Sequence, residues 1–237
     1  MDKITPLNKE WLVALMAASL TACGGGGGGD NPPPSSTQPP PSQPAPPPTP
    51  SPPPPSSPGA PALSSTVTDI SDGRRIGAIH WQNGNTSAGG DGSPVDGIEC
   101  LLNMPEDYHV HTYVGIYLNG DLLAVPQNVG IVDRSPDPRC FYAIHTHDGS
   151  GQIHVEASAP GSFTLQMLFN IWGQPLTSTN IAGLTGMPVK VYVVEDDAAV
   201  TEVADNWGEI ELTSHKKIHI VVGTAPGELR NITWDGT

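Results

Sequence analysis

From Cys140 to Ser158 the chain carries two strand-like runs, an apolar one ending in His145-Thr146-His147 and one from Gln152 that alternates polar and apolar positions, separated by Asp148-Gly149-Ser150-Gly151. Those four residue types supply tight turns, so Phe141–His147 and Gln152–Ser158 read as the two arms of a β-hairpin. Side chains alternate faces along a strand. Ala143, His145 and His147 therefore share one face of the first arm, and Gln152, His154 and Glu156 share one face of the second. A turn symmetric about Gly149 and Ser150 sets His145 opposite His154 and His147 opposite Gln152; a bulge would change that pairing. Directly opposed residues carry Cβ atoms about 5 Å apart.

A second hairpin pattern runs from Tyr108 to Val125 around Asn119-Gly120, the strongest short turn pair. Val110, Val114, Ile116 and Leu118 mark its apolar face, with Thr112 between them. His109, His111, Tyr113 and Tyr117 mark the other face. Leu165, Leu168, Phe169 and Trp172 recur at helical spacing, which predicts a helix over 162–172. Ser162 or Thr164 can cap it, Gly173 can end it, and Pro175 blocks continuation. Arg74–Gln82, Met187–Val194, Glu209–Leu212 and Lys217–Val222 read as further strands; Ala198–Trp207 fits neither period. The expected fold class is mainly β: an antiparallel β-sandwich or half-barrel with one α-helix.

The N-terminal part has a different pattern. Trp11–Leu20 is an apolar run too short to span a bilayer as a helix. Gly24–Gly29 is unbroken glycine, and Asn31–Pro61 is mostly proline with small polar residues. Neither buries enough apolar surface to offset ordering entropy, so residues 24–64 are expected to form a disordered linker. At ~3.1 Å per residue its proline part could reach roughly 100 Å. Residues 65–237 are left as a single histidine-rich β domain.

The formal net charge of −14 makes nucleic acid and anionic membrane surfaces poor partners and cations natural ones. An acidic surface that only keeps the protein soluble gives the same count. Of three cysteines, Cys100 and Cys140 are left as a pair once Cys23 is set aside. In an oxidising compartment they form a disulfide; the competing role for Cys140 is a metal thiolate.

Five of the eight histidines fall in two clusters, His109/His111 and His145/His147/His154. His-x-His on a strand puts two imidazoles on one face, a chelating arrangement for copper or zinc, and a third imidazole from a neighbouring strand completes a three-histidine site. Asp148 and Glu156 are candidates to orient those ligands or to act as a base on bound water. A hydrogen-bonded polar cluster without metal is the alternative. His80, His215 and His219 stand alone, and His219, between Ile218 and Ile220, is expected to face solvent. There is no HExxH, nucleophile elbow, phosphate loop or nucleotide fingerprint.

Leu20-Thr21-Ala22-Cys23 resembles the lipobox of bacterial lipoproteins, in which the cysteine is lipidated and becomes the mature N-terminus. The resemblance implies a signal peptide over residues 1–23 and a membrane partner through lipid on Cys23. It also implies a cell-envelope location with the folded domain periplasmic or extracellular. Gly24 rather than aspartate after the cysteine implies the outer membrane in a Gram-negative cell. The pattern of Tyr108-His109-Val110-His111, Cys140-Phe141-Tyr142, His145-Thr146-His147-Asp148-Gly149-Ser150-Gly151, Ile153-His154-Val155-Glu156 and Ile171-Trp172-Gly173-Gln174-Pro175-Leu176 is similar to a group of secreted or membrane-tethered bacterial proteins of unassigned function. That similarity covers roughly residues 97–223 and carries no activity with it. Three functions follow as expectations: a surface-tethered metal-binding domain, a metalloenzyme whose three-histidine site activates water or oxygen, or a metal-free adhesion or scaffold domain. No protein partner is specified.

Overall fold

The computed structural model describes residues 55–70, 73–83, 89–133 and 136–234. Cys23, the expected signal segment and most of the expected linker lie outside the described residues. The strands are β1 Ala62–Asp69, β2 Tyr108–Leu118, β3 Asp121–Leu123, β4 Ile131–Val132, β5 Cys140–Phe141, β6 Ile144–His145 and β7 Gln152–Ala157. Helix α1, Leu165–Trp172, follows, and then β8 Leu176–Thr177, β9 Asn180–Ile181, β10 Leu184–Thr185, β11 Val189–Val194, β12 Thr201–Val203, β13 Lys217–Val222 and β14 Glu228–Thr233.

One seven-stranded sheet organises these elements, in the order β12-β11-β13-β2-β7-β6, with β3 also paired to β2. Strand β2 is its axis: residues 108–113 pair with β7, residues 116–118 with β3, and residues 113–118 with β13 on the opposite edge. All these pairings are antiparallel except that of β2 with β13. The fold is therefore mainly β and sandwich-like, with no sheet closed into a barrel among the described residues.

Alternation along β2 divides the sheet into two faces. Val114 and Ile116 join Ile153, Val155, Ile218, Ile220 and Val191 in the main core, which α1 closes with Leu165, Leu168, Phe169, Ile171 and Trp172. The Thr164 hydroxyl accepts from the Met167 amide at 3.4 Å, and Gly173 ends the helix in the left-handed region, as their residue types favour. Asn119 and Gly120, both at positive φ, make the turn from β2 to β3.

The opposite face is also covered. Strands β1 and β14 form a parallel pair, and Leu229 and Leu63 pack on Tyr117, Tyr192, Val194 and Val221. Ile70 and Ile232 cover Tyr113. This lid corrects the expectation for His219, which is fully buried. The Tyr117 hydroxyl accepts from the Arg230 amide at 2.8 Å and faces His219 Nδ1 at 3.3 Å. Burial keeps that imidazole neutral. Two predicted strands are also corrected. Residues 74–82 make only a single bridge, Ala78 to Leu123, and Glu209–Leu212 likewise makes only one, Glu211 to Thr164, after a 3-10 turn over Trp207–Glu209. Strand β1 begins at Ala62, ahead of the expected boundary at Ser65.

Cys100 and Cys140 form a disulfide, which removes Cys140 as a metal thiolate. The bridge ties the 95–107 segment beside β5, where Leu101 also bridges Phe141.

Burial, and then the nearby charge of Lys217, lower the pKa of His219 from 6.5 to about 3. Between those values the unfolded chain binds a proton that the folded chain refuses, so this contribution to stability is lost as pH falls from 6.5 toward 3. The slope is about 1.4 kcal/mol per pH unit for one such group. Denaturant titrations at pH 7 and pH 5 should show a marked loss of stability in the wild type. The loss should be smaller in His219→Asn, which keeps a polar atom near the Tyr117 hydroxyl.

Candidate metal centre

The site lies on the lidded face of the sheet, at the end where β6, β7 and the start of β2 meet. Register builds it. His145 on β6 is the partner of His154 on β7, and His154 is the partner of His111 on β2. One row further along, Glu156 is the partner of His109. The predicted His145–His154 pairing is present. Strand β6 stops at His145, so His147 lies beyond the ladder, but its ring returns to the cluster and stacks on His154 with centroids 4.1 Å apart.

His109 Nε2 and His111 Nε2 are 3.0 Å apart, His111 Nε2 and His154 Nδ1 are 3.0 Å apart, and His109 Nε2 and His154 Nδ1 are 3.4 Å apart. Ligand nitrogens on a tetrahedral ion with bonds of 2.0–2.1 Å stand roughly 3.3–3.4 Å from one another. A cation about 2.05 Å from all three would sit about 1 Å off the plane they define. A hydrogen can bridge only two of three such nitrogens at once; a cation satisfies all three.

His145 Nε2 and His147 Nε2 form a second close pair, 3.0 Å apart. Glu156 lies among the imidazoles rather than behind them. Its Oε1 is 3.2 Å from His109 Nε2, 3.5 Å from His154 Nδ1 and 3.6 Å from His145 Nε2. Asp148 accepts the Ser150 amide at 2.7 Å, which shapes the hairpin turn, and its charge acts on His147 from the rim. The buried cluster of His109, His111, His145, His154 and Glu156 could hold a metal ion.

The surroundings fix how the ligands point. His145 Nδ1 is 3.0 Å from the Tyr142 carbonyl, which can only accept, so Nδ1 carries the hydrogen and Nε2 turns a lone pair on the cluster. Metal-bound histidines are commonly held this way. Gln152 Nε2 is 3.3 Å from His154 Nε2, while Gln152 Oε1 is buried with no hydrogen-bond partner among the described residues. Turning that amide over sets Oε1 against a His154 Nε2–H and leaves Nδ1 bare for a cation.

Thr146, between two of the histidines, anchors them. It is fully buried, its hydroxyl donates to the Pro126 carbonyl at 2.7 Å and accepts from the Val129 amide at 3.0 Å, and its amide donates to the Val129 carbonyl. The 126–130 segment thus clasps the chain between His145 and His147. Gly130, at φ +74°, permits that approach: a Cβ there would lie 2.3 Å from the Ile144 carbonyl oxygen. These supporting roles escaped sequence reading, because a threonine between two histidines resembles any other strand residue.

Burial is the main cause that lowers the pKa of His111 to about 4, helped by His154 and His109, and that of His145 to about 3. His147 is lowered as well, by the burial of the part of its ring that stacks on His154 and then by His154 itself. Burial alone would raise Glu156, but the contact of its carboxylate with His154 and the nearby His145 and His109 outweigh that and hold it below the usual carboxylate range. At neutral pH, His111 and His145 are neutral, with lone pairs free.

His147 is exposed and the His109 side chain is 32% accessible, so the cluster opens to solvent on one side. A cavity of about 150 Å³, lined by Ile98, Leu101, Met104, Pro105 and Phe141, reaches Glu156 from the other. His80 packs edge-on against Trp81, and His215 stacks on Trp234. Neither belongs to the cluster.

An ordinary imidazole is about nine-tenths protonated at pH 5.5 and must shed that proton to bind a metal; His111 and His145 need not. Calorimetry at pH 5.5 in buffers of differing ionisation enthalpy should therefore show fewer protons released than imidazoles engaged.

No protein-family model, curated protein or solved structure matches the chain.

Proposed function

We propose that this protein binds a transition-metal ion, copper or zinc, at the histidine cluster, and carries that site on a lipid anchor at the cell envelope. The observation that supports the first part is the triangle of His109, His111 and His154 nitrogens, with sides of 3.0, 3.0 and 3.4 Å. The donors are imidazole nitrogens and one carboxylate. That set suits zinc and divalent copper better than magnesium or calcium, which prefer all-oxygen shells. Support for the anchor is the Leu20-Thr21-Ala22-Cys23 motif followed by a glycine- and proline-rich spacer.

A metalloenzyme is the second reading, and one observation favours it. The exposed rim at His147 would leave a bound ion a solvent-facing position for water. Against it, the cavity at Glu156 is about 150 Å³, below the roughly 300–1,000 Å³ of drug-sized ligand sites. Stoichiometric binding is therefore preferred.

Elemental analysis of the full chain, produced in metal-replete medium without a histidine tag, should find at least about one equivalent of copper or zinc. The double variant His111→Ala/His154→Ala should lose 100-fold or more in affinity. A metal-free wild type would sink the reading and leave the scaffold role. Replacing Cys23 by Ser should move the protein from the membrane pellet to the soluble fraction after cell fractionation; retention in the pellet would overturn the anchor.

A further inference from the structure

A single ion leaves donors over. The ligating atoms fall into two overlapping sets, His109, His111 and His154 in one and His145, His147, His154 and Glu156 in the other, each with its atoms within 4.8 Å of one another. The sets do not merge into one. Two donors on one ion with bonds near 2.1 Å can be at most about 4.2 Å apart. Each His-x-His pair is already closed to chelating distance, 3.0 Å in both cases.

Glu156 stands between the pairs. Its Oε1 is 3.2 Å from His109 Nε2 in one pair and 3.6 Å from His145 Nε2 in the other. Its Oε2 is buried and has no hydrogen-bond partner among the described residues, although the side chain is only 3% accessible. A bare carboxylate oxygen in the interior is costly unless something cationic meets it. Two chelating pairs, one carboxylate touching both, and an oxygen with nothing to accept thus meet at one place.

We propose that the cluster is a dinuclear centre for two divalent transition-metal cations bridged by the Glu156 carboxylate. One ion is held by His109, His111 and His154 Nδ1. The other is held by His145 and His147 and faces solvent on the exposed His147 side. This rests on the metal-binding reading above and adds stoichiometry and a bridging residue to it. Ions sharing a bridging ligand in two-metal sites lie about 3.5–4 Å apart.

Titrating the metal-free full chain with cupric ion, read by elemental analysis after desalting and by electron paramagnetic resonance, tests this. Two equivalents should bind. The doubly loaded protein should show spin coupling, as a half-field transition or as integrated intensity well below two spins. His147→Ala, altering an exposed side chain, and His109→Ala should each keep one equivalent with an uncoupled signal. Glu156→Gln should abolish the coupling and weaken the second equivalent tenfold or more, with circular dichroism confirming that it folds. One equivalent in the wild type, or two with full uncoupled intensity, overturns the bridged pair and leaves the metal-binding reading standing. No equivalents would instead remove that reading itself.

Discussion

Strands β6, β7 and β2 lock together in a register that sets His145 beside His154 and His154 beside His111. Everything chemical in the molecule follows from that alignment. A slip of one residue in β7 would turn His154 and Glu156 into the apolar core and bring Ile153 and Val155 onto the polar face. The core resists such a slip, because Val114, Ile153 and Val155 are fully buried against α1. Hydrophobic packing on one side of the sheet thereby sets the position of imidazoles on the other, and no contact within the cluster has to do so.

The turn and clasp regions refine that placement. Gly151, at φ +88°, comes so close to β2 that its carbonyl accepts from the Val114 amide at 2.9 Å; a Cβ there would lie 2.6 Å from the Val114 carbonyl oxygen. The hairpin tip is thus fastened to the strand that carries His109 and His111. Thr146 and the 126–130 segment fasten the other arm. The disulfide closes the 95–107 wall beside Glu156. In the chain-entropy model, linking residues 40 apart in sequence contributes about 4 kcal/mol by restricting the unfolded chain. These are ties between elements distant in sequence, as a rigid site needs.

Much of this was legible in the sequence, and the failures have a common cause. The Asp148–Gly151 turn fixed which histidines oppose each other, because a short symmetric turn leaves little freedom of register. Asn119-Gly120, the Thr164 cap and the Gly173 stop were legible for the same reason: each is a local conformational preference. His219 was misplaced because alternation with Ile218 and Ile220 shows which residues share a face but not whether that face meets water. The covering element pairs β1 with β14, nearly the whole domain apart in sequence, and Ala62–Asp69 is too rich in serine and threonine to advertise a strand. Arg74–Gln82 failed in the opposite sense, with strand-like residues but only one bridge to a neighbour. Glu156 was assigned to the right face, but side-chain reach decides whether it stands behind the imidazoles or between them, and spacing alone does not measure reach.

The cluster's energetics also bear on why such a face persists in a folded domain. Burial keeps His111 and His145 neutral, which removes their share of the charge repulsion among gathered histidines, and what is left is unmet hydrogen-bonding capacity. Glu156 Oε2 is buried without a partner among the described residues, and such an atom costs about 1–3 kcal/mol. A purely structural network would be expected to close this gap, since a half-satisfied polar network is worse than an apolar one. A cation that binds the folded chain and not the unfolded one reverses the balance, adding stability in proportion to the logarithm of its concentration over its dissociation constant. The open valence of Glu156 is therefore better explained as a place kept for a ligand than as an imperfection of packing.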